Sequence, residues 1–169
     1  MKHLGPGFDL GAESGEDTGA STDALQAQLS AVRDRLKESE VAIESAQWCE
    51  LALQESRLLV NLDEGAQAWH SAQRRFEQFC AGGLWAQAAE ATRVMFQSGE
   101  PDALVALGHA VWLAVTFPVD PELSVALLQD IVDETPDDSD GAAVAAATAA
   151  YVVDLRAQGN KRESLSFFA

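Results

Sequence analysis

Apolar residues recur at helical spacing along most of the chain after residue 20. From Ala20 to Glu64 there is neither glycine nor proline, and the apolar positions first follow the alternating four- and three-residue steps of a heptad. A second apolar stripe then takes over, from Trp48 to Leu62. Residues 22–61 therefore form either one long helix, of about 40 residues, or two helices. The positions of the heptad seam are Leu25, Leu29, Val32, Leu36 and Ile43.

The seam allows two interpretations. It is either the interface of a coiled-coil homodimer formed through residues 22–61, or a stripe that packs onto the rest of the chain. Asp23, with Gln26 three residues later, predicts the start of its helix. Residues 1–20 are rich in Gly, Ser, Asp and Glu. We predict a disordered acidic tail there, because so few large apolar residues cannot offset the ordering entropy.

From residue 63 onward, helical patterns alternate with short breaks at Gly, Pro and capping residues. Asp120 is the predicted cap of one helix, and Ser139 or Asp140 of another. Connections this short require antiparallel neighbours, so residues 63–169 are predicted to be an array of helical hairpins and the whole chain all-α. The predicted helices span residues 64–81, 84–97, 101–116, 121–134, 141–157 and 161–168.

The predicted hairpins are similar to one another when the chain is shifted by 40 residues. Leu104 then falls on Val144, Val111 on Tyr151 and Ser124 on Ser164. With the Leu-Gly pair at 107–108 and the turns at 83–88 and 159–168, this region resembles the tetratricopeptide family over about residues 63–168. The helices are longer than those of the usual repeat of about 34 residues, so other α-hairpin repeats and a non-repetitive bundle remain open.

The resemblance implies a concave face, lined by the first helix of each hairpin, that grips a segment of a partner protein. Two stripes of residues are carried over as the partner-binding hypothesis. The alternative for the first stripe is that Val105 and Trp112 fill the core against residues 121–134. The first stripe is Asp102, Val105, His109 and Trp112, and the second is Ala145, Ala149, Val152 and Arg156.

The formal net charge of −16 narrows the range of partners. Residues 81–169 carry thirteen acidic and only four basic side chains. Such a surface repels phosphate groups, so nucleic acid and membrane insertion are not expected, and a protein with a basic surface or segment is favoured. In one interpretation the acidic charge serves only solubility, and in the other it forms a docking surface for the partner.

The sequence contains none of the phosphate-binding, zinc-protease or nucleophile motifs that mark common enzymes. Cys49, His70 and Cys80 fit no zinc spacing, and the acidic loop 133–141 lacks the EF-hand pattern. We therefore expect no catalytic residues, no metal and no cofactor. Two cysteines and no apolar leader favour a cytoplasmic protein with reduced thiols.

These observations predict a non-catalytic interaction module, an adaptor or an assembly or secretion chaperone that holds a partner protein. The alternative is a structural subunit built permanently into a larger complex and anchored by its N-terminal helix. An enzyme or a metal-binding protein is the third and least favoured hypothesis.

Overall fold

The computed structural model describes residues 13–38, 45–136 and 139–166, and in these residues it contains helices and no strand. The predicted all-α class is confirmed. Consecutive helices pack against each other along the chain. They are α1 (Glu13–Glu38), α2 (Ala46–Asn61), α3 (Gly65–Ala81), α4 (Trp85–Gln97), α5 (Ala103–Thr116), α6 (Pro121–Asp133), α7 (Asp140–Arg156) and α8 (Asn160–Leu165).

The predicted capping residues start two of these helices. The Asp120 carboxylate accepts a hydrogen bond from the Glu122 N–H at 2.9 Å, and the Ser139 hydroxyl accepts one from the Ala142 N–H at 3.2 Å. Each bond satisfies a backbone donor that has no partner inside the helix. The bounds of α3 to α7 agree with the predicted bounds to within two residues.

The turns that follow α2 and α3 have the same geometry. Asp63 and Gly83 adopt left-handed backbone angles, with φ of 60° and 69°. The next N–H donates back across the turn, from Glu64 to the Leu59 carbonyl and from Leu84 to the Phe79 carbonyl. This is the Schellman ending of a helix, which reverses the chain within three residues. Glycine suits the second turn because it adopts positive φ without steric cost.

Residues 22–61 form two helices, since α1 and α2 pack on each other. Leu29 and Val32 of the seam are buried against Leu58 and Leu59 of α2, with Leu25 and Leu36 half-buried beside them. The seam thus packs within the chain. Its last member, Ile43, lies outside the described residues.

The start of α1 differs from the prediction. The helix begins at Glu13 rather than at Asp23, so residues 13–20 of the predicted tail are helical, while residues 1–12 lie outside the described part. The prediction had rested on the scarcity of large apolar residues in residues 1–20.

Contacts also join alternate helices: α2 with α4, α4 with α6, α3 with α5 and α5 with α7. We therefore describe the chain as two sets of alternate helices, or layers. We call α2, α4, α6 and α8 the even layer and α1, α3, α5 and α7 the odd layer. Ion pairs connect neighbours of the even layer. In the odd layer, the Phe76 ring of α3 faces the His109 ring of α5, and Arg156 of α7 donates to backbone carbonyls of α5. The ion pairs are Arg57–Glu90, Arg93–Asp130 and Lys161–Glu122.

The largest buried cluster lies between the layers and includes Trp48 and Leu53 of α2, Phe79 of α3, Leu107 of α5 and Leu127 of α6. Because α2 contributes to this cluster, the predicted boundary at residue 63 does not separate two cores. The Glu55 carboxylate ties the first three helices together, since it accepts from Arg33 at 3.1 Å and from Arg75 at 3.2 Å.

Candidate protein-interaction surface

Large apolar side chains are exposed on only two helices of the described part of the chain, α5 and α7. Apolar residues scattered singly over a surface are ordinary, but a concentration of them on neighbouring helices makes that surface a candidate interaction site. We call this surface the apolar face. Its large residues are Leu104, Val105 and Trp112 of α5, and Val144, Tyr151 and Leu155 of α7, each between 56% and 64% exposed.

The first predicted stripe lies on this face. Asp102, Val105, His109 and Trp112 are all exposed, and none of them fills the core. The Trp112 ring meets the edge of Phe117 at a centroid distance of 5.7 Å, and Phe117 in turn stacks on Trp85 at 4.0 Å. These contacts fix the ring of Trp112 at its base while leaving 56% of the residue exposed.

Three of the four residues of the second predicted stripe lie inside the molecule, so the structure does not place them on the surface. Ala145, Ala149 and Val152 are 4–5% exposed and pack against α6. The buried positions of α7 follow those of α5 by 39 residues rather than 40: the pairs are Ala106 with Ala145, Ala110 with Ala149, and Leu113 with Val152. One residue turns a helix by about 100°, so the shift by 40 selected the wrong side.

With the corrected register, Val105 corresponds to Val144 and Trp112 to Tyr151. Sequence reasoning missed Val144, Tyr151 and Leu155 as surface residues. The bulky residues of α7 had the character of a core, while the positions that are buried are mostly alanine. Only the repeated spacing of a bulky residue, then a small one, then an aromatic one on both helices could have identified them.

Arg156, the last residue of the second stripe, has a structural role. Its two terminal guanidinium nitrogens donate to the carbonyls of Ala114 at 2.7 Å and Val115 at 2.8 Å. These carbonyls belong to the last turn of α5, where helix acceptors have no partner of their own and favour a cation. Arg156 therefore holds the C-terminal ends of α5 and α7 together, and with them the two halves of the apolar face.

A groove of about 350 Å³ borders the apolar face between α3 and α5. Trp69 and Phe76 form one wall, Val105 and His109 form the other, and Met95 lies among the lining residues. The Phe76 and His109 rings are nearly parallel, with centroids 6.5 Å apart. Trp69 and Phe76 were not predicted as site residues, because nothing in the sequence showed that α3 and α5 are neighbours.

The surroundings of this groove are acidic. Glu77 and Asp102 are among its lining residues, and no lysine or arginine is among those described there. The four basic side chains of residues 81–169 are each engaged within the chain: Arg93 with Asp130, Arg156 with α5 carbonyls, Lys161 with Glu122, and Arg162 with Asp154. Hydrogen bonds donated to Glu122 and Asp120 also raise the pKa of Lys161.

Two features of the titratable side chains in residues 13–38, 45–136 and 139–166 concern metal binding and thiol chemistry. No three His, Cys, Asp or Glu side chains within those ranges could together hold a metal ion. Burial raises the pKa of the Cys80 thiol, which favours the unreactive protonated form. None of the described helices combines the length and the apolar character that crossing a bilayer requires.

No protein-family model, curated protein or solved structure matches this chain. The likeness to tetratricopeptide repeats therefore rests on the sequence pattern alone and stays a prediction.

Proposed function

We propose that this protein is a non-catalytic interaction module, an adaptor or assembly chaperone, that holds a segment of a partner protein on the apolar face and in the adjoining α3–α5 groove. The observation that carries the proposal is the concentration of six large exposed apolar residues on α5 and α7. Folding alone does not account for it, because equally sized residues on the even layer are buried or half-buried.

The chemical character of the face suits protein recognition. Tryptophan and tyrosine, which are enriched among the residues that dominate binding energy, stand at corresponding positions of α5 and α7, as Trp112 and Tyr151. The ring of Trp112 is held at its base by Phe117, so a partner orders little additional side chain when it binds. The partner thereby gains apolar burial at small entropic cost.

Self-association is a weaker explanation of the apolar face. Two copies would bring together two chains of formal charge −16, and repulsion between like charges opposes that contact. The heptad seam offers no easier route to a dimer, since Leu29 and Val32 are already covered by α2. A different protein that is less acidic, or basic, is the better complement.

The test is affinity capture from lysate of the source organism with the intact chain, the double variant Trp112→Ala/Tyr151→Ala and two controls. One control is Gln129→Ala, at an exposed position of α6. The other is Ala27→Glu/Ala31→Glu, on exposed positions of α1. Removing two central aromatic residues typically weakens binding by about 2 kcal/mol or more, roughly thirtyfold.

We expect the double variant alone to lose the captured partner while its helical content and melting temperature stay those of the intact chain. Capture that survives the double variant would contradict the proposal. Capture that is lost only in the α1 variant would instead support a subunit anchored by its N-terminal helix. We use substitutions rather than a deletion of residues 1–61, because that deletion removes Trp48 and Leu53 from the core.

A further inference from the structure

Gly108 is an exposed glycine in the interior of α5, where the fold does not need it. A Cβ added at Gly108 would meet nothing within 4 Å, whereas one added at Gly65 would come within 2.5 Å of the Ser98 carbonyl oxygen. Glycine destabilises a helix interior relative to alanine. Gly65 is thus explained by close packing inside the chain, and Gly108 is not.

Gly108 lies in the middle of the apolar face, between two large exposed side chains. It lies one turn after Val105 and one turn before Trp112, both exposed. On α7 the small exposed residue Ala147 lies in the same way between Val144 and Tyr151. Each helix therefore carries a notch one residue wide between bulky apolar side chains. A notch of this kind lets another helix approach closely, because the distance between packed helices is set by the side chains at their contact.

We propose that the partner segment is an α-helix that docks its apolar side across α5 and α7 at Gly108 and Ala147, with Lys or Arg residues flanking that side. This inference rests on the proposed function and specifies the chemistry of the partner. It places the closest approach of the two proteins at Gly108, between Val105 and Trp112.

The polarity of the face favours a helix over an extended segment. A helix satisfies its own backbone hydrogen bonds, whereas an extended segment needs partners for its N–H and C=O groups. The described part of the chain has no sheet edge to supply them. At the centre of the face, His109 and Thr148 are the polar side chains near the two notches, and the Thr148 hydroxyl already donates to the Val144 carbonyl at 2.7 Å.

Charge complementarity favours basic residues on the docked helix. Glu77 and Asp102 border the face, and the nearby cations Arg156 and Arg162 are engaged within the chain. Lys or Arg residues beside the apolar side of a partner helix would meet these carboxylates and speed the encounter. A second copy of this chain would bring more acid instead.

Three synthetic peptides test the proposal against the full-length protein. Each has about 18 residues, long enough to form a helix. The first carries leucines at helical spacing flanked by lysines, the second replaces the lysines by glutamates, and the third replaces the leucines by glutamines. Binding is measured by titration calorimetry at low and physiological salt. We expect the first peptide to bind the intact protein at least about tenfold more tightly than either of the others.

Variants at Gly108 then locate the contact. We expect Gly108→Leu to weaken binding of the first peptide by at least about tenfold, and Gly108→Ala by roughly threefold. Gly108→Ala should nevertheless raise the melting temperature, by about 2–4 °C. If Gly108→Ala stabilises the fold and yet weakens binding of the first peptide, a purely structural role of Gly108 does not explain the loss of binding. Gln129→Leu, which adds a leucine to exposed α6, is the matched control and should change nothing.

Several results would overturn the proposal. These are no binding of the first peptide, equal binding of the glutamine peptide, and unchanged or tighter binding by Gly108→Leu. Any of them, together with lysate capture that still depends on Trp112 and Tyr151, would remove the helical partner and leave the proposed function standing. Loss of that dependence would remove the proposed function itself.

Discussion

The two layers of this protein share one core but present different surfaces. In the even layer, ion pairs connect neighbouring helices, as Arg93 of α4 does with Asp130 of α6 at 2.8 Å. In the odd layer, α5 and α7 expose six large apolar residues, and an arginine joins them through backbone carbonyls. The described part of the even layer has no comparable exposed apolar residue.

This difference separates the residues that stabilise the fold from the residues that the fold exposes to solvent. Both layers bury apolar residues toward the shared core, such as Leu127 of α6 and Leu107 of α5, which are fully buried. The described part of the even layer turns charged and polar groups outward, and water solvates them. Within the odd layer, α5 and α7 turn large apolar groups outward, and water solvates these poorly. An exposed apolar surface of this kind is typical of a contact with another molecule, and the proposed function rests on it.

The largest effect that tests this separation comes from two leucines of α5. Leu107 is fully buried in the main cluster, and Leu104, less than one turn away, is 58% exposed. We expect Leu107→Ala to lower the free energy of unfolding by about 3 kcal/mol, through lost burial and a cavity. Leu104→Ala should change it by less than about 0.5 kcal/mol. Urea unfolding followed by circular dichroism measures both. Similar losses in the two variants would show that Leu104 also belongs to the core.

A smaller effect sharpens the comparison on α7, where the register was predicted wrongly. Val152 is 4% exposed and its neighbour Tyr151 is 64% exposed. We expect Val152→Ala to cost about 1–3 kcal/mol of unfolding free energy, while Tyr151→Ala costs less than about 0.5 kcal/mol. The same denaturation experiment decides between the registers. If Tyr151→Ala is the more costly, the register that places the second predicted stripe outside is restored.

Local signals in the sequence sufficed for most of the helices. Asp120 and Ser139 cap helices as predicted, and the glycine after α3 ends it in a left-handed turn. Each of these features acts within a few residues, so a single sequence contains it. The start of α1 was missed because residues 13–20 form a helix without an apolar stripe.

The sequence predicted the exposed side of α5 but not that of α7, because α7 is rich in alanine. On α5, large residues on the outer side and a mixture of alanine and leucine on the inner side left one consistent register. On α7, alanine occupies both sides, at Ala145 and Ala149 inside and at Ala143 and Ala147 outside. Alanine therefore does not distinguish the buried side of α7 from the exposed side. The bulky residues Val144, Tyr151 and Leu155 have the character of core residues, and this assigned the wrong side of the helix to the surface. The pairing of α3 with α5, which forms the groove, is a long-range contact without a local signal.

The smallest effect concerns the ion pairs of the even layer. Arg93 donates two hydrogen bonds to Asp130, at 2.8 and 3.1 Å, and the side chains are 31% and 19% exposed. Lys161 and Glu122 are 3.2 Å apart, but both are more than half exposed. In double-mutant cycles to alanine, we expect a coupling of about 1 kcal/mol for Arg93 and Asp130.

We expect no measurable coupling between Lys161 and Glu122, since water and salt screen exposed pairs. Raising the salt concentration should reduce the coupling of Arg93 with Asp130 only in part, because its planar, two-bond geometry is partly shielded from solvent. Equal coupling for both pairs would mean that burial does not decide their strength. The even layer would then be held by its total charge pattern rather than by this one contact, and substitutions at Arg93 would affect stability no more than those at Lys161.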